Sequence, residues 1–220
     1  MLAEQQFEIV LAYQDPVGHS GMRRQYRIAL VDKVVPEHDP GEMERGFEDV
    51  TVAEIAAAAG VSKVTVFSHF ERKEDLALDR LPDAVGIVRA VVRERPDGVG
   101  VVEAFRRAAI ALAEEQHPLS GLSQAGEPLA RTVAGSRSLI SRLREFEHEI
   151  EAELTDELES DPRLSGDSEL VAALIVATYR VVAVATTRRR LAGDDLTALV
   201  TAHRDRLDRA FTALSEVFPG

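Results

Sequence analysis

The sequence contains no cysteine, no tryptophan and no asparagine, and only 3 of its 26 basic residues are lysines. Without cysteine there is neither a disulfide nor a thiolate zinc site. This composition is typical of a reducing compartment, and we predict a cytoplasmic protein. The formal net charge of −12 argues against a protein that coats nucleic acid indiscriminately. It does not exclude one small positive face, because salt screens charges that lie more than about 8 Å from a contact.

The alternation of apolar and polar residues with period two, which is the pattern of β-strands, is also missing. Glycine and proline fall between apolar segments rather than within them. The sequence therefore predicts an all-α protein. The predicted helices span residues 22–35, 52–59, 62–70, 74–80, 83–95, 99–116, 119–131, 137–160, 168–191 and 195–217.

The most apolar stretch, LVAALIVATYRVVAVATT, has the length of a membrane span. Arg180 lies in its middle and charges flank it closely, so we predict a helix buried in protein and no membrane association. A helix that is apolar on nearly all sides needs cover on several sides. That cover is either the core of a monomer or a partner subunit. We predict a homodimer through helices 168–191 and 195–217, with Val184 and Phe211 at the interface.

The segment TVAEIAAAAGVSKVTVFSHF, residues 51–70, has the pattern of a helix-turn-helix. Thr51 and Glu54 have the spacing of a capping box at the start of the first helix. The alanines before Gly60 keep the end of that helix thin, so that a second helix can cross closely. Gly60 suits the left-handed conformation that ends a helix, and Ser62 is placed to cap the next one.

The second helix carries one side of mixed chemistry. At about 100° per residue, Val66 and Phe70 share a side and are predicted to pack inward, while Val64, Thr65 and Ser68 lie roughly opposite. Hydroxyls suit phosphates and base edges, and apolar groups suit thymine methyls and sugar rings. These residues predict a local DNA-binding face on an acidic protein. Its other members are Lys63, Phe67 and His69, with Lys73 following the helix.

The stretch TVAEIAAAAGVSKVTVFSHFERKEDL, residues 51–76, resembles the DNA-binding signature of the TetR family of one-component transcriptional regulators. The resemblance implies an N-terminal three-helix head that binds DNA as a dimer. It also implies a larger C-terminal helical domain that binds a small molecule, whose arrival releases the DNA. We therefore expect an N-terminal extension at 1–21, a helix-turn-helix DNA-binding domain at 22–80 and a ligand-binding and dimerisation domain at 81–220. The matching positions are Thr51, Ile55-Ala56, Ala59-Gly60-Val61-Ser62, Thr65, Phe70, Lys73-Glu74 and Leu76.

Carried over by position, the resemblance implies that Thr51 and Lys73 contact phosphates. Phe67 stands where the family usually has tyrosine, so a phosphate hydrogen bond from that ring is lost. We predict a non-enzymatic, ligand-responsive repressor without cofactor or metal. Its partners are a palindromic operator in double-stranded DNA, which it binds as a dimer, and a small-molecule effector that releases it. The DNA-facing set implied in this way is Ser62, Lys63, Val64, Thr65, Phe67, Ser68 and His69.

The beginning of the chain departs from the family pattern. Pro36 and Pro40, in VVPEHDPGEM, interrupt the region where the family's first helix runs unbroken. The best candidate for that helix is MRRQYRIALVDKVV at 22–35, whose apolar side includes Leu30. The departure leaves an alternative open, in which a regulator-like protein has an impaired DNA head and acts through its ligand or partner domain.

Effector-binding residues are weakly marked in the sequence. Tyr179 and Arg180 are polar groups within an apolar helix, and they are the candidates for a ligand pocket with Phe105 behind them. The alternative for this pair is an internal ion pair or an interface contact.

Two Glu-x-x-His pairs, Glu114/His117 and Glu145/His148, suggest a different class of protein, a di-metal carboxylate enzyme built in a helical bundle. The pairs fall away from the apolar faces of their helices. We therefore predict that they hold no metal.

Overall fold

The computed structural model describes residues 46–123 and 126–218. All regular structure within these ranges is helical, as predicted. The predicted extension at 1–21, the predicted first helix at 22–35 and the stretch with Pro36 and Pro40 lie outside the described residues. The elements are α1 (Val52–Ala58), α2 (Lys63–Phe67), α3 (Lys73–Ala77), α4 (Leu81–Arg93), α5 (Val101–Glu114), α6 (Glu127–Gly135), α7 (Arg137–Glu159), α8 (Ser168–Leu191) and α9 (Leu196–Val217), with 3-10 turns at Phe47–Asp49 and Pro118–Ser120.

The helix predicted at 119–131 is wrong. A 3-10 turn at Pro118–Ser120 ends at Gly121, whose φ of 75° lies in the left-handed region, and α6 begins only at Glu127. A side chain at Gly121 would be strained there, and its Cβ would lie 3.0 Å from the Thr187 hydroxyl. Proline and glycine on either side of the turn interrupt the helix that the intervening apolar residues suggested.

The described residues form two compact units. The first, which we call the head unit, combines residues 46–81 with 127–145. The second, which we call the larger unit, combines 82–126, apart from 124–125, with 146–218. Helix α7 begins in the head unit and ends in the larger one. The boundary predicted at 80/81 divides the sequence into consecutive domains. The head unit, in contrast, also includes residues 127–145.

The head unit is held together by an apolar cluster. Ile55 of α1, Val66 of α2 and Leu76 of α3 are almost completely buried, and Leu139 of α7 is buried in the same cluster. Burial of each such side chain contributes about 1.5–3 kcal/mol. Helices of five to seven residues are unstable alone. Tertiary packing, and not intrinsic helix propensity, therefore keeps the three short helices folded.

The larger unit contains α5 packed against α9, and α9 packed against α8. A stripe of α9 residues at spacings of three and four is buried. Phe211 belongs to this stripe and is only 1% exposed within its own chain, so its predicted place at a dimer interface is wrong. The stripe faces the core of the protomer because α9 is covered by α5 and α8. Its members are Leu199, His203, Leu207, Phe211 and Leu214.

Helix α8 is covered on one side by its own chain. Leu170, Val181 and Val184 are 47, 51 and 42% exposed. The described part of the chain therefore leaves one side of α8 uncovered, which favours a partner subunit over a monomer core as the predicted cover. By length and composition α8 could cross a membrane, which is weak evidence, since core helices of soluble proteins have the same properties.

Candidate nucleic-acid interface

Helix α1 begins with the capping box that its sequence predicts. The Thr51 hydroxyl accepts a hydrogen bond from the Glu54 backbone N–H at 3.3 Å, and the Glu54 carboxylate accepts one from the Thr51 backbone N–H at 2.8 Å. The same carboxylate also accepts a hydrogen bond from the Thr51 hydroxyl at 2.7 Å. The Thr51 hydroxyl, for which a phosphate contact is predicted, is exposed, and it is already hydrogen-bonded to Glu54.

The turn between α1 and α2 is a Schellman motif. The Val61 N–H donates to the Ala56 carbonyl at 2.9 Å, and the Gly60 N–H donates to the Ala57 carbonyl at 3.1 Å. Gly60 has a φ of 70°, which glycine adopts without strain. The glycine therefore determines where α1 ends and how sharply the chain turns into α2.

Helix α2 separates its side chains into an inner and an outer side. Val66 is 1% exposed and Phe70, just beyond the helix, is also buried, as predicted. Val64 is 79% exposed and Phe67 is 45% exposed. We use the name outer side of α2 for the predicted DNA-facing residues 62–65 and 67–69, all of which are at least partly exposed. Within it Ser62, Lys63, Val64, Phe67 and Ser68 are exposed, and Thr65 and His69 are half-buried.

The hydroxyls of the outer side bond to one another or to the backbone. Ser62 caps α2 by accepting from the Thr65 N–H at 3.1 Å, and its Oγ lies 2.8 Å from the Thr65 hydroxyl. The Ser68 hydroxyl donates to the Thr65 carbonyl at 2.7 Å. These bonds fix the side-chain rotamers. Ser68 Oγ keeps lone pairs that can accept from a base edge, and in the Ser62–Thr65 pair one hydroxyl proton and at least one lone pair stay available for a further hydrogen bond.

Lys73 does not extend into solvent as a phosphate contact requires. Its ammonium donates to the carbonyls of Phe47 and Glu48, and its Nζ lies 4.2 Å from the centre of the Phe47 ring. Burial lowers its pKa, although neighbouring acidic groups, Glu74 and Glu48 first, oppose this effect. In this arrangement Lys73 joins the start of α3 to the turn that precedes α1.

The positive charge expected around α2 is smaller than a count of residues suggests. Lys63 is exposed, with its Nζ 5.6 Å from the centre of the Phe67 ring. Arg72 pairs with Glu145 at 2.5 Å, and Lys73 is directed inward. Lys63 is thus the lysine of this region that is placed on the outer side of α2.

Two side-chain contacts of the head unit could not be predicted from the sequence. Arg142 Nε donates to Asp75 Oδ1 at 2.8 Å, and the Ser136 hydroxyl donates to Glu48 Oε1 at 2.7 Å. The partners are 67 and 88 residues apart. No local spacing marks either pair.

Known proteins share this arrangement. Residues 43–79 match the bacterial regulatory proteins of the tetR family. The HTH-type transcriptional regulator TcmR from Streptomyces glaucescens is 26% identical over 193 residues, which cover 86% of this chain and 85% of that protein. Over residues 43–79 the chain is thus similar to the DNA-binding region of TetR-family regulators. The family recognised in the sequence of 51–76 is therefore confirmed.

Two crystal structures share the fold at low sequence identity. A TetR-family regulator from Streptomyces coelicolor A3 is 16% identical with a TM-score of 0.54, over 90% of this chain and 99% of its own. A Mesorhizobium loti MAFF303099 protein assigned to the TetR family is 18% identical with a TM-score of 0.50, over 90% and 98%. At these identities the likeness concerns fold alone, and it confirms the predicted all-α TetR architecture.

The residues predicted for an effector pocket contact different elements. Phe105 is buried in α5, and the Tyr179 hydroxyl donates to the Leu119 carbonyl at 3.0 Å. Burial raises the pKa of Tyr179. Arg180 is exposed and its Nε lies 3.7 Å from a carboxylate oxygen of Glu147, which is the ion pair considered as the alternative. The three residues remain predictions for the effector site.

The Glu-x-x-His pairs have partners of another kind. Glu114 pairs with Arg204 at 3.1 Å, Glu145 pairs with Arg72, and His117 Nδ1 accepts from the Leu119 N–H at 3.2 Å. Across residues 46–123 and 126–218, no group of three histidines or carboxylates is arranged to hold a metal ion.

A cavity of about 310 Å³ lies elsewhere in the larger unit, between the end of α4 and the loop after α7. Beside it Asp161 forms a buried ion pair with Arg95 and accepts from Arg163 Nε at 2.9 Å. Burial alone raises the pKa of Asp161, but the hydrogen bonds from Arg163 and Arg95 outweigh it and lower the pKa to about 2. The arginines beside the cavity are thus neutralised. It is lined by Val92, Arg93, Glu157, Ser160, Asp161, Pro162 and Arg163.

Proposed function

We propose that this TetR-family regulator is a repressor that binds a palindromic operator in double-stranded DNA as a homodimer and leaves it when a small-molecule effector binds. The observation that carries the proposal is the outer side of α2. Val64 extends from this helix with 79% of its surface exposed, while Val66, two residues later, is buried in the head unit. A helix anchored in this way presents fixed side chains to a major groove.

The chemistry of the outer side supports contact with both bases and backbone. Val64 and Phe67 are apolar groups that suit thymine methyls and sugar rings. Ser62 and Ser68 supply hydroxyls in fixed positions, and Lys63 supplies a charge for phosphate. In the proposal Val64, Thr65 and Ser68 determine sequence preference. Lys73, whose ammonium is bonded to the Phe47 and Glu48 carbonyls, is not part of the proposed DNA-contacting set. That set is Thr51, Ser62, Lys63, Val64, Thr65, Phe67, Ser68 and His69.

The exposed side of α8 supports a homodimer. Leu170, Ala177, Val181 and Val184 follow one another at spacings of 7, 4 and 3 residues, so they share one side of the helix. Such spacing suits packing against the same helix of a second copy. A two-fold axis through this contact would place the two α2 helices on the two half-sites of a palindrome.

The larger unit is the proposed site of the effector, with Phe105, Tyr179 and Arg180 as candidate contacts. We place the protein in the cytoplasm, without membrane association, cofactor or enzymatic activity. TetR-family proteins act on transcription, and the polar partners of the Glu-x-x-His pairs described above support this assignment over a metal-dependent enzyme.

The experiment that tests the proposal is selection of bound fragments from random double-stranded DNA by the full-length protein. We expect enrichment of an inverted repeat whose half-sites are centred about one helical turn or more apart. The variant Val64→Asp places a carboxylate on the outer side of α2 and should retain no fragment. Val61→Ala, in the turn and away from that side, serves as the control. Equal recovery of all sequences by the wild-type protein would contradict the proposal.

A further inference from the structure

The segment 127–145, which follows the DNA-binding signature by some fifty residues, packs into the head unit. Leu139 is completely buried in the apolar cluster of α1, α2 and α3. Leu129, Val133 and Leu143 pack against the same cluster from α6 and α7. The segment is therefore an integral layer of the DNA-binding unit.

Arg142 connects this layer to the chain that follows α2. Its Nε donates to Asp75 Oδ1 at 2.8 Å, and both side chains are largely buried. The other oxygen of Asp75 accepts from the Arg72 N–H at 3.2 Å, at the start of α3. Arg72 in turn pairs with Glu145 at 2.5 Å. The Asp75 carboxylate therefore bonds both to the start of α3, where the loop after α2 ends, and to Arg142 of α7.

Ser136 makes the corresponding connection before α1. Its hydroxyl donates to Glu48 Oε1 at 2.7 Å and accepts from the Leu139 N–H at 3.1 Å, so it joins the first turn of α7 to the turn at Phe47–Asp49. This hydrogen bond is the main reason that the pKa of Glu48 is lowered. Lys73, bonded to the carbonyls of Phe47 and Glu48, links the two connections.

The two connections lie on either side of the helix-turn-helix, one before α1 and one after α2. We propose that Arg142 and Ser136 are positioning residues for DNA binding, which hold α2 in the orientation that the operator requires. The inference rests on the proposed function. Neither residue contacts DNA in it, since Ser136 is buried and the Arg142 side chain is only 15% exposed and bonded to Asp75.

The test compares Arg142→Ala with Arg131→Ala in the full-length protein. Arg131 lies in the same segment, but it is exposed and pairs with Glu127 of its own helix. The probe is the operator obtained from random DNA, and fluorescence anisotropy gives Kd at several salt concentrations. Loss of a charged hydrogen bond should raise Kd about tenfold for Arg142→Ala. Arg131→Ala should leave Kd unchanged.

Two further readouts separate positioning from phosphate contact and from loss of fold. The slope of log Kd against log salt should stay at the wild-type value for Arg142→Ala, because no phosphate contact is removed. The fraction of protein able to bind, from titration of excess operator, should also stay at the wild-type value. Arg142→Lys, which keeps the charge, should recover part of the affinity.

Each outcome decides the inference. If Arg142→Ala only lowers the binding-competent fraction and leaves Kd unchanged, the residue is merely structural and the inference is wrong. If Arg142→Ala does not fold, Arg142→Met keeps the apolar stem and removes every donor to Asp75, and unchanged Kd for that variant overturns the inference. A reduced salt slope would place Arg142 on phosphate and also overturn it. Failure of the wild-type protein to retain any DNA overturns the proposed function itself.

Discussion

The pair Val64 and Val66 offers a sharp test of how α2 is oriented. The two residues have the same side chain and lie two positions apart on one short helix. Val64 is mostly in solvent, whereas Val66 is buried among Ile55 and Phe70. Replacement of each by alanine removes the same two methyl groups. The two variants should therefore differ only through the surroundings of those groups.

For Val66→Ala the lost burial is about 0.8 kcal/mol per methyl group, or about 1.6 kcal/mol. The cavity that remains raises the loss to about 2–3 kcal/mol. In a unit of this size, each kcal/mol lowers Tm by about 4–8 °C, so the transition of the head unit should shift by about 8–24 °C. Val64→Ala should change the free energy of unfolding by less than about 0.5 kcal/mol.

DNA binding should show the reverse order. Loss of the Val64 contact with a thymine methyl should cost about 1 kcal/mol, or about fivefold in Kd, and relax the preference at one base pair. Val66→Ala should lower the folded fraction on heating, with little change in sequence preference below its transition. Far-UV circular dichroism suits the unfolding measurement, since the chain has no tryptophan. Equal destabilisation by both variants, or loss of sequence preference only in Val66→Ala, would refute this orientation of α2.

Three further predictions concern the larger unit. Val184→Asp should give a folded monomer by light scattering and abolish operator binding, and a dimer of unchanged affinity would contradict the proposed α8 interface. His203 is buried, and burial, aided by the charge of Arg206, lowers its pKa to about 4. Its unfolded-state pKa is near 6.5, so the free energy of unfolding should be about 2 kcal/mol lower at pH 5 than above pH 6.5. In urea unfolding, His203→Gln should lack this pH dependence. Asp161→Asn leaves Arg95 buried without its carboxylate and should cost about 3–5 kcal/mol in the same assay, whereas a loss below 1 kcal/mol would contradict the pairing.

The helix-turn-helix was predictable because its determinants are local. Thr51 and Glu54 cap α1, Gly60 ends it and Ser62 caps α2, all through contacts between residues three to five positions apart. The inward side of α2 followed from helical periodicity alone. These features depend on spacing, which the sequence displays directly.

Side chains that bond to distant segments could not be predicted in the same way. Lys73 bonds to carbonyls that precede it by 25 and 26 residues, although its position suggested a phosphate contact. The Arg142–Asp75 pair depends on how α7 packs, which no local pattern records. Phe211 was placed at an interface because a periodic stripe marks a buried side without indicating what covers it. In α9 the cover comes from the same chain.

The most direct test of the central claim is a titration of the selected operator duplex with the full-length protein at physiological salt. We expect two chains per duplex and a Kd of about 10⁻⁸–10⁻¹¹ M, at least about 10³ tighter than for a duplex with both half-sites scrambled. Scrambling one half-site should remove most of that difference, because both α2 helices must bind. Equal affinity for the operator and the scrambled duplex, or one chain per duplex at saturation, would contradict the claim that α2 recognises DNA in a dimer.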